Sequence, residues 1–172
     1  MAKTSWLVGG LIAVSLAMAG VGYWQHTKPQ RLYQKYLNTT QLNTFQSRAL
    51  EIVELDATEE RWRQASDAFH HKAYAQAAGL FESILATDAD HLQANVGLGL
   101  AYLAEAQYEA AQMPLQRAYA QQSTLEYLDA AWGLALLALH DGDVAKARQL
   151  LAQINALGGA YQVQAREVLA EL

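Results

Sequence analysis

LQANVGLGLAYLAEAQYEAAQMPLQRAYAQQSTL, residues 92–125, carries the pattern that decides the fold. Apolar and small side chains return at helical spacing, as Leu98, Ala101 and Tyr102 and again as Ala111, Leu115 and Ala118. The period slips between Ala106 and Tyr108. Two antiparallel amphipathic helices joined by a short turn satisfy that pattern. One helical hairpin cannot bury both of its faces, so this stretch requires copies of itself on either side.

The copies are present. Laid without gaps on Thr58 to His91, the same spacing selects Ala65, Ala68, Tyr74, Ala77, Phe81 and Ile84. Laid from Leu128, with Glu126 and Tyr127 treated as a two-residue insertion, it selects Ala135, Ala138, Ala147, Leu151 and Ile154, with Gly142 at the turn. This pattern resembles the tetratricopeptide (TPR) repeat, a helix-turn-helix unit of about 34 residues. Leu98 and Gly99 stand in its seventh and eighth places, Tyr102 in the eleventh, Tyr108 in the seventeenth, and Ala111, Leu115 and Ala118 in the twentieth, twenty-fourth and twenty-seventh. Small residues at the eighth and twentieth places let the two helices of a hairpin approach, and larger ones at the eleventh and twenty-fourth fill the space between hairpins. Two departures stand out: the proline often found near the end of a repeat is replaced by Ala89, Ser123 and Gly159, and the early tryptophan by Arg61, Asn95 and Ala131.

The resemblance implies an all-α protein, a TPR-like α-α solenoid of about three hairpins (58–91, 92–125 and 128–159) within a domain 56–172. A capping helix over 161–172 closes it, with Val163, Val168, Leu169 and Leu172 inward and Gln162, Arg166 and Glu167 outward; solenoids need such a cover for their last apolar face. Asp56 to Glu59 has the form of a capping box and sets the start of the first helix. Pro114 falls inside a helix, where it removes the bond to Ala110 at a cost of about 3 kcal/mol, so a kink or a late helix start is expected.

One transmembrane helix is expected ahead of this domain. Trp6 to Trp24 is a run of 19 uncharged residues, about 28 Å long as a helix against a hydrocarbon core of about 30 Å. Trp6, Tyr23 and Trp24 fall where an aromatic belt would sit, followed by His26, Lys28 and Arg31. Residues 1–28 are therefore read as a membrane anchor. A cleaved signal peptide is the alternative, with Lys3 as basic flank and Ala17-Met18-Ala19 as cleavage site. Pro29 is expected to end the helical run near Lys28, and 29–55 to be a juxtamembrane linker. Within it Leu32, Tyr33, Tyr36 and Leu37 share one face, which would lie on the membrane surface or pack on the domain.

The chain has a formal net charge of −5 and no cysteine. From Asp56 to Leu172 there are 15 acidic and 7 basic side chains, a balance that disfavours nucleic acid. Disulfides and thiolate metal sites are excluded. His26, His70, His71, His91 and His140 show no helical metal-pair spacing and stand beside no recognised catalytic arrangement. No catalytic, cofactor or metal site is expected, no small-molecule substrate, and no enzyme.

The family lines a concave surface with the first helix of each hairpin. Carried onto this chain, that surface contains Trp62, Phe69 and His70, then Val96, Leu100 and Leu103, then Trp132, Leu136, Leu139 and His140. Aromatic residues on such a face are the usual anchors of a protein interface. The competing reading is that these side chains are core, covered by the linker or the capping helix. A carboxylate clamp is not expected, because those places hold no basic residue.

The expected function is a membrane-tethered protein-protein interaction module, a scaffold or adaptor that binds a partner protein or peptide on its concave face. The layout is similar to bacterial inner-membrane TPR proteins with one anchor, which implies a single-pass inner-membrane protein with its repeats in the periplasm, against a slight charge bias from Lys28, Arg31 and Lys35. Two alternatives remain: a structural accessory subunit of a larger membrane complex, and a secreted chaperone-like or envelope-regulatory TPR protein released by signal cleavage.

Overall fold

The computed structural model describes residues 27–38, 57–122 and 127–172. Among them every regular element is a helix: α1 (27–37), α2 (Ala57–His70), α3 (Tyr74–Leu85), α4 (Leu92–Ala104), α5 (Tyr108–Ala120), α6 (Tyr127–Asp141), α7 (Val144–Leu157) and α8 (Gln162–Glu171). The protein is all-α across these residues. Helices α2 and α3, α4 and α5, and α6 and α7 pack as pairs, and α3 on α4, α5 on α6 and α7 on α8 join the pairs into one stack. The first helices also touch directly, α2 with α4 and α4 with α6.

Each pair is closed by the same turn. Lys72, Ala106 and Gly142 all have positive φ, at 61°, 57° and 78°. In each case the following amide reaches back to a carbonyl in the last turn of the first helix: Ala73 N to Ala68 O, Gln107 N to Tyr102 O and Asp143 N to Ala138 O, each 2.8 Å. The left-handed residue itself donates to Phe69, Leu103 and Leu139 respectively. This bond pair is the Schellman ending, which satisfies carbonyls that a helix end leaves open. The turns lie 34 and 36 residues apart along the chain, which matches a repeat with a two-residue insertion before α6.

The core follows the sequence pattern closely. Ala65, Ala77, Phe81, Ile84, Ala111, Leu115, Ala118, Ala135, Ala147, Leu151 and Ile154 are all fully inaccessible. Large side chains of the second helices press into glycines of the next first helix. Phe81 leaves no room for a Cβ on Gly97, and a Cβ on Gly133 would lie 2.7 Å from Leu115. Burying a side chain of this size contributes about 1.5–3 kcal/mol, and the glycines let the backbones come close enough to do it.

Three expectations need correction. Pro114 lies inside α5, which runs unbroken from Tyr108 to Ala120, so a late helix start is ruled out. The helix start is fixed by the turn at Ala106 and by the buried Ala111, Leu115 and Ala118, whose packing outweighs one missing hydrogen bond. Pro29 does not end a helix near Lys28, because residues 27–37 are helical, and Leu32, Tyr33 and Tyr36 take the second of the two places expected of them, packed on the domain. A proline obstructs the turn before it, not the residues after it. In α8 Val168 is buried and Leu169 and Leu172 pack partly buried against the core as expected, but Val163 is 53% exposed, and Ala165 and the preceding Tyr161 are buried in its stead. Tyr161 stacks on Trp132 with ring centroids 5.0 Å apart and an interplanar angle of 4°, which rotates Val163 outward.

No helix among the described residues is long and apolar enough to cross a membrane. The anchor expected over 6–24, the cleavage alternative at Ala19 and the capping box at Asp56 lie outside the described residues.

Candidate functional site

The face formed by the first helices is occupied, and its occupant is α1. Its sequence TKPQRLYQKYLN, residues 27–38, puts Pro29, Leu32, Tyr33 and Tyr36 on one stripe, and all four are buried. The stripe gives the helix one apolar face, and the surface that face covers stabilises it.

Each buried tyrosine also makes a polar contact through its hydroxyl. Tyr33 donates to the Leu103 carbonyl on α4 at 3.2 Å. Tyr36 donates to Glu171 at 2.8 Å and to Glu167 at 3.4 Å, both on α8. Gln30 donates to the His140 carbonyl on α6 at 3.5 Å. Lys35 pairs with Glu171 at 2.6 Å across an open rim, with the two side chains 57% and 41% exposed. Helix α1 thus enters beside the turn of the third hairpin and leaves along α8.

Ring contacts fix its register. Tyr33 meets the Tyr108 ring edge-on at 5.8 Å and the His140 ring at 5.3 Å, while Tyr108 and His140 stack on each other at 3.6 Å. Tyr36 meets Trp132 edge-on at 6.3 Å. Such contacts are worth about 0.5–1.5 kcal/mol each beyond area burial. The His140 Nδ1 lies 3.0 Å from the Asp141 carboxylate.

The electrostatics support the same docking. The ammonium of Lys35, followed by the Tyr36 hydroxyl, holds the Glu171 carboxyl below its ordinary range. The Glu171 carboxylate raises Lys35 in return. Burial, and then its hydrogen bond to Glu171, pushes the Tyr36 phenol up. Burial pushes Tyr33 well above the usual phenol range, with Tyr108 adding to it. Between residues 27 and 38 the only charged residues are Lys28, Arg31 and Lys35. A basic helix therefore lies on an acidic domain.

The residues expected to line the surface are divided by this arrangement. Leu100, Leu103, Trp132, Leu136 and Leu139 are fully or almost fully inaccessible, and Val96 is 3% exposed. Trp62 and Phe69 are also buried, with Phe69 edge-on to Tyr74 at 5.1 Å. His70 stands exposed at the end of α2, and His140 is half-buried between the tyrosines. Trp132, His140 and the Leu103 carbonyl come together on α1. Glu167 and Glu171 were not among the expected residues, although Glu171 is the anchor of two α1 side chains. The tyrosines at 33 and 36 carried a signal: two aromatic residues three apart next to Leu32 form an apolar stripe that requires a cover.

The arrangement serves packing and anchoring. Among the described residues no cluster of three or more His, Asp or Glu side chains is placed to hold a metal ion. Comparison with known proteins finds no matching family profile, no matching curated protein and no matching solved structure.

Proposed function

We propose that this chain is a membrane-tethered protein-protein interaction module of the TPR-like kind, anchored by residues 6–24 and working through the face of its first helices. The observation that carries the reading is the docking of α1. A face of buried aliphatic and aromatic side chains with polar groups at its rim holds an amphipathic helix, the mode in which helical grooves recognise peptides. On this reading the module brings a partner protein to the membrane, and no step of chemistry is asked of it.

A structural accessory subunit is the second reading, favoured by two exposed apolar side chains near the end of the stack, Leu157 at 50% and Val163 at 53%. One experiment separates the two. A photo-reactive amino acid is placed in the full chain, in its native membrane, at His70, exposed at the end of α2, at Gln34, exposed on α1, at Val163 on α8, or at Met113, which is 67% exposed. The interaction module predicts adducts to another protein from His70 and Gln34. The subunit reading predicts a stoichiometric adduct from Val163. Adducts from Met113 alone, or from none of the four, would remove both.

A further inference from the structure

Five features of α1 stand apart from the rest of the molecule. It belongs to no hairpin, and residues 39–56 separate it from α2. That connection of 18 residues has an extended length of up to roughly 60 Å, enough chain for α1 to move off its seat. The contacts of α1 are those of a ligand: two tyrosines with hydroxyls on acceptors and one rim ion pair. Its charge is opposite to that of its receptor. Its fit is also incomplete, because the buried Gln30 Oε1 has no hydrogen-bond partner, and an unmatched buried acceptor weakens the complex that contains it.

We infer that α1 is a resident occupant of an exchangeable helix site, and that the partner taken there is a basic amphipathic helix of another protein with the same signature. The signature is a leucine followed by tyrosines at the next and fourth positions, with a cation immediately before the second tyrosine, as in Leu32, Tyr33, Lys35 and Tyr36. The Leu103 carbonyl reads the first tyrosine hydroxyl and Glu171 reads both the second hydroxyl and the cation. This rests on the interaction-module reading and names the chemistry of its partner. Tethering gives α1 an effective concentration in the millimolar range, so a competing helix must bind more tightly or arrive at high local concentration.

The test uses the full chain, tagged at its amino terminus, with a protease site introduced between Gln46 and Ser47. The protein is immobilised through the tag in detergent, cleaved, washed, and challenged with a synthetic peptide of residues 27–38. The fragment carrying the hairpins is expected to stay on the resin after cleavage and to be eluted by the peptide. A peptide with Tyr33→Ala and Tyr36→Ala, and one with Lys28, Arg31 and Lys35 changed to Glu, are expected to need at least about tenfold higher concentration. Retention with no elution by any peptide means that α1 is fixed core and overturns the inference. Loss of the fragment on cleavage also overturns it, because the site then does not hold a helix in trans. Equal elution by all three peptides overturns the signature. Dimers of the uncleaved chain that the peptide dissolves would make a second copy the occupant and overturn the assignment to another protein. The exchange does not depend on the tether, so failed crosslinking in the membrane would sink the interaction-module reading while leaving this result intact.

Discussion

Lys72 and Ala106 hold a backbone conformation that Gly142 holds at the equivalent turn, with φ of 61°, 57° and 78°. A Cβ in the left-handed region costs about 1–2 kcal/mol, and glycine avoids that cost while losing some chain entropy. Ala106→Gly is therefore expected to stabilise the protein by about 1 kcal/mol, and Gly142→Ala to destabilise it by a similar or larger amount. Urea titration of the two variants checks both signs, and a stabilising Gly142→Ala would contradict the turn. Only at the third of these turns was the left-handed residue itself legible in the sequence. Gly142 advertises a left-handed residue, whereas nothing local about Lys72 or Ala106 does, and their conformation is imposed by the pairing of the helices on either side.

At the scale of an element, α1 is the piece whose existence and face could be read but whose destination could not. The stripe of Leu32, Tyr33 and Tyr36 is a local pattern. Its partners lie 70 residues away at Leu103 and 135 away at Glu171, and no periodicity carries that information. The ion pair at the rim makes docking dependent on pH. Glu171 is held below its ordinary value of 4.5, so its contribution is present above that value and is lost as pH falls through the lowered one. Lys35 is raised above 10.5, so its contribution is present below that value and is lost as pH rises through the raised one. Docking of α1 is expected to be firmest between these limits and to loosen at the acid end, less so in high salt, where the exposed pair is already screened. Tryptophan fluorescence checks this, since the Tyr36 ring lies against Trp132. The acid limb should flatten in Glu171→Gln, and an unchanged limb would assign the effect elsewhere.

For the whole molecule, the three hairpins were legible because their core is built from contacts within one repeat or between neighbours, at spacings that recur in the chain. The end of the stack was only partly so. The capping helix lies where expected, but its inward face turns on Tyr161, which precedes the helix and stacks on Trp132. Ending the chain at Gly159 removes Tyr161, Ala165 and Val168 from the core and takes Glu167 and Glu171 from α1. A loss of several kcal/mol is expected from the apolar burial alone. Aggregation on size exclusion and a lowered unfolding midpoint are the readouts, and a monomer as stable as the full chain would contradict the cap. The seating of α1 has one more consequence if residues 6–24 are the tether. Only Gln25 and His26 separate Trp24 from Thr27 of α1, so the stack rides within roughly 10 Å of the bilayer edge while α1 is docked. With α1 released, the stretch from 25 to 56 allows a separation of up to roughly 110 Å. What occupies the groove thereby sets how far from the lipid the hairpins can forage.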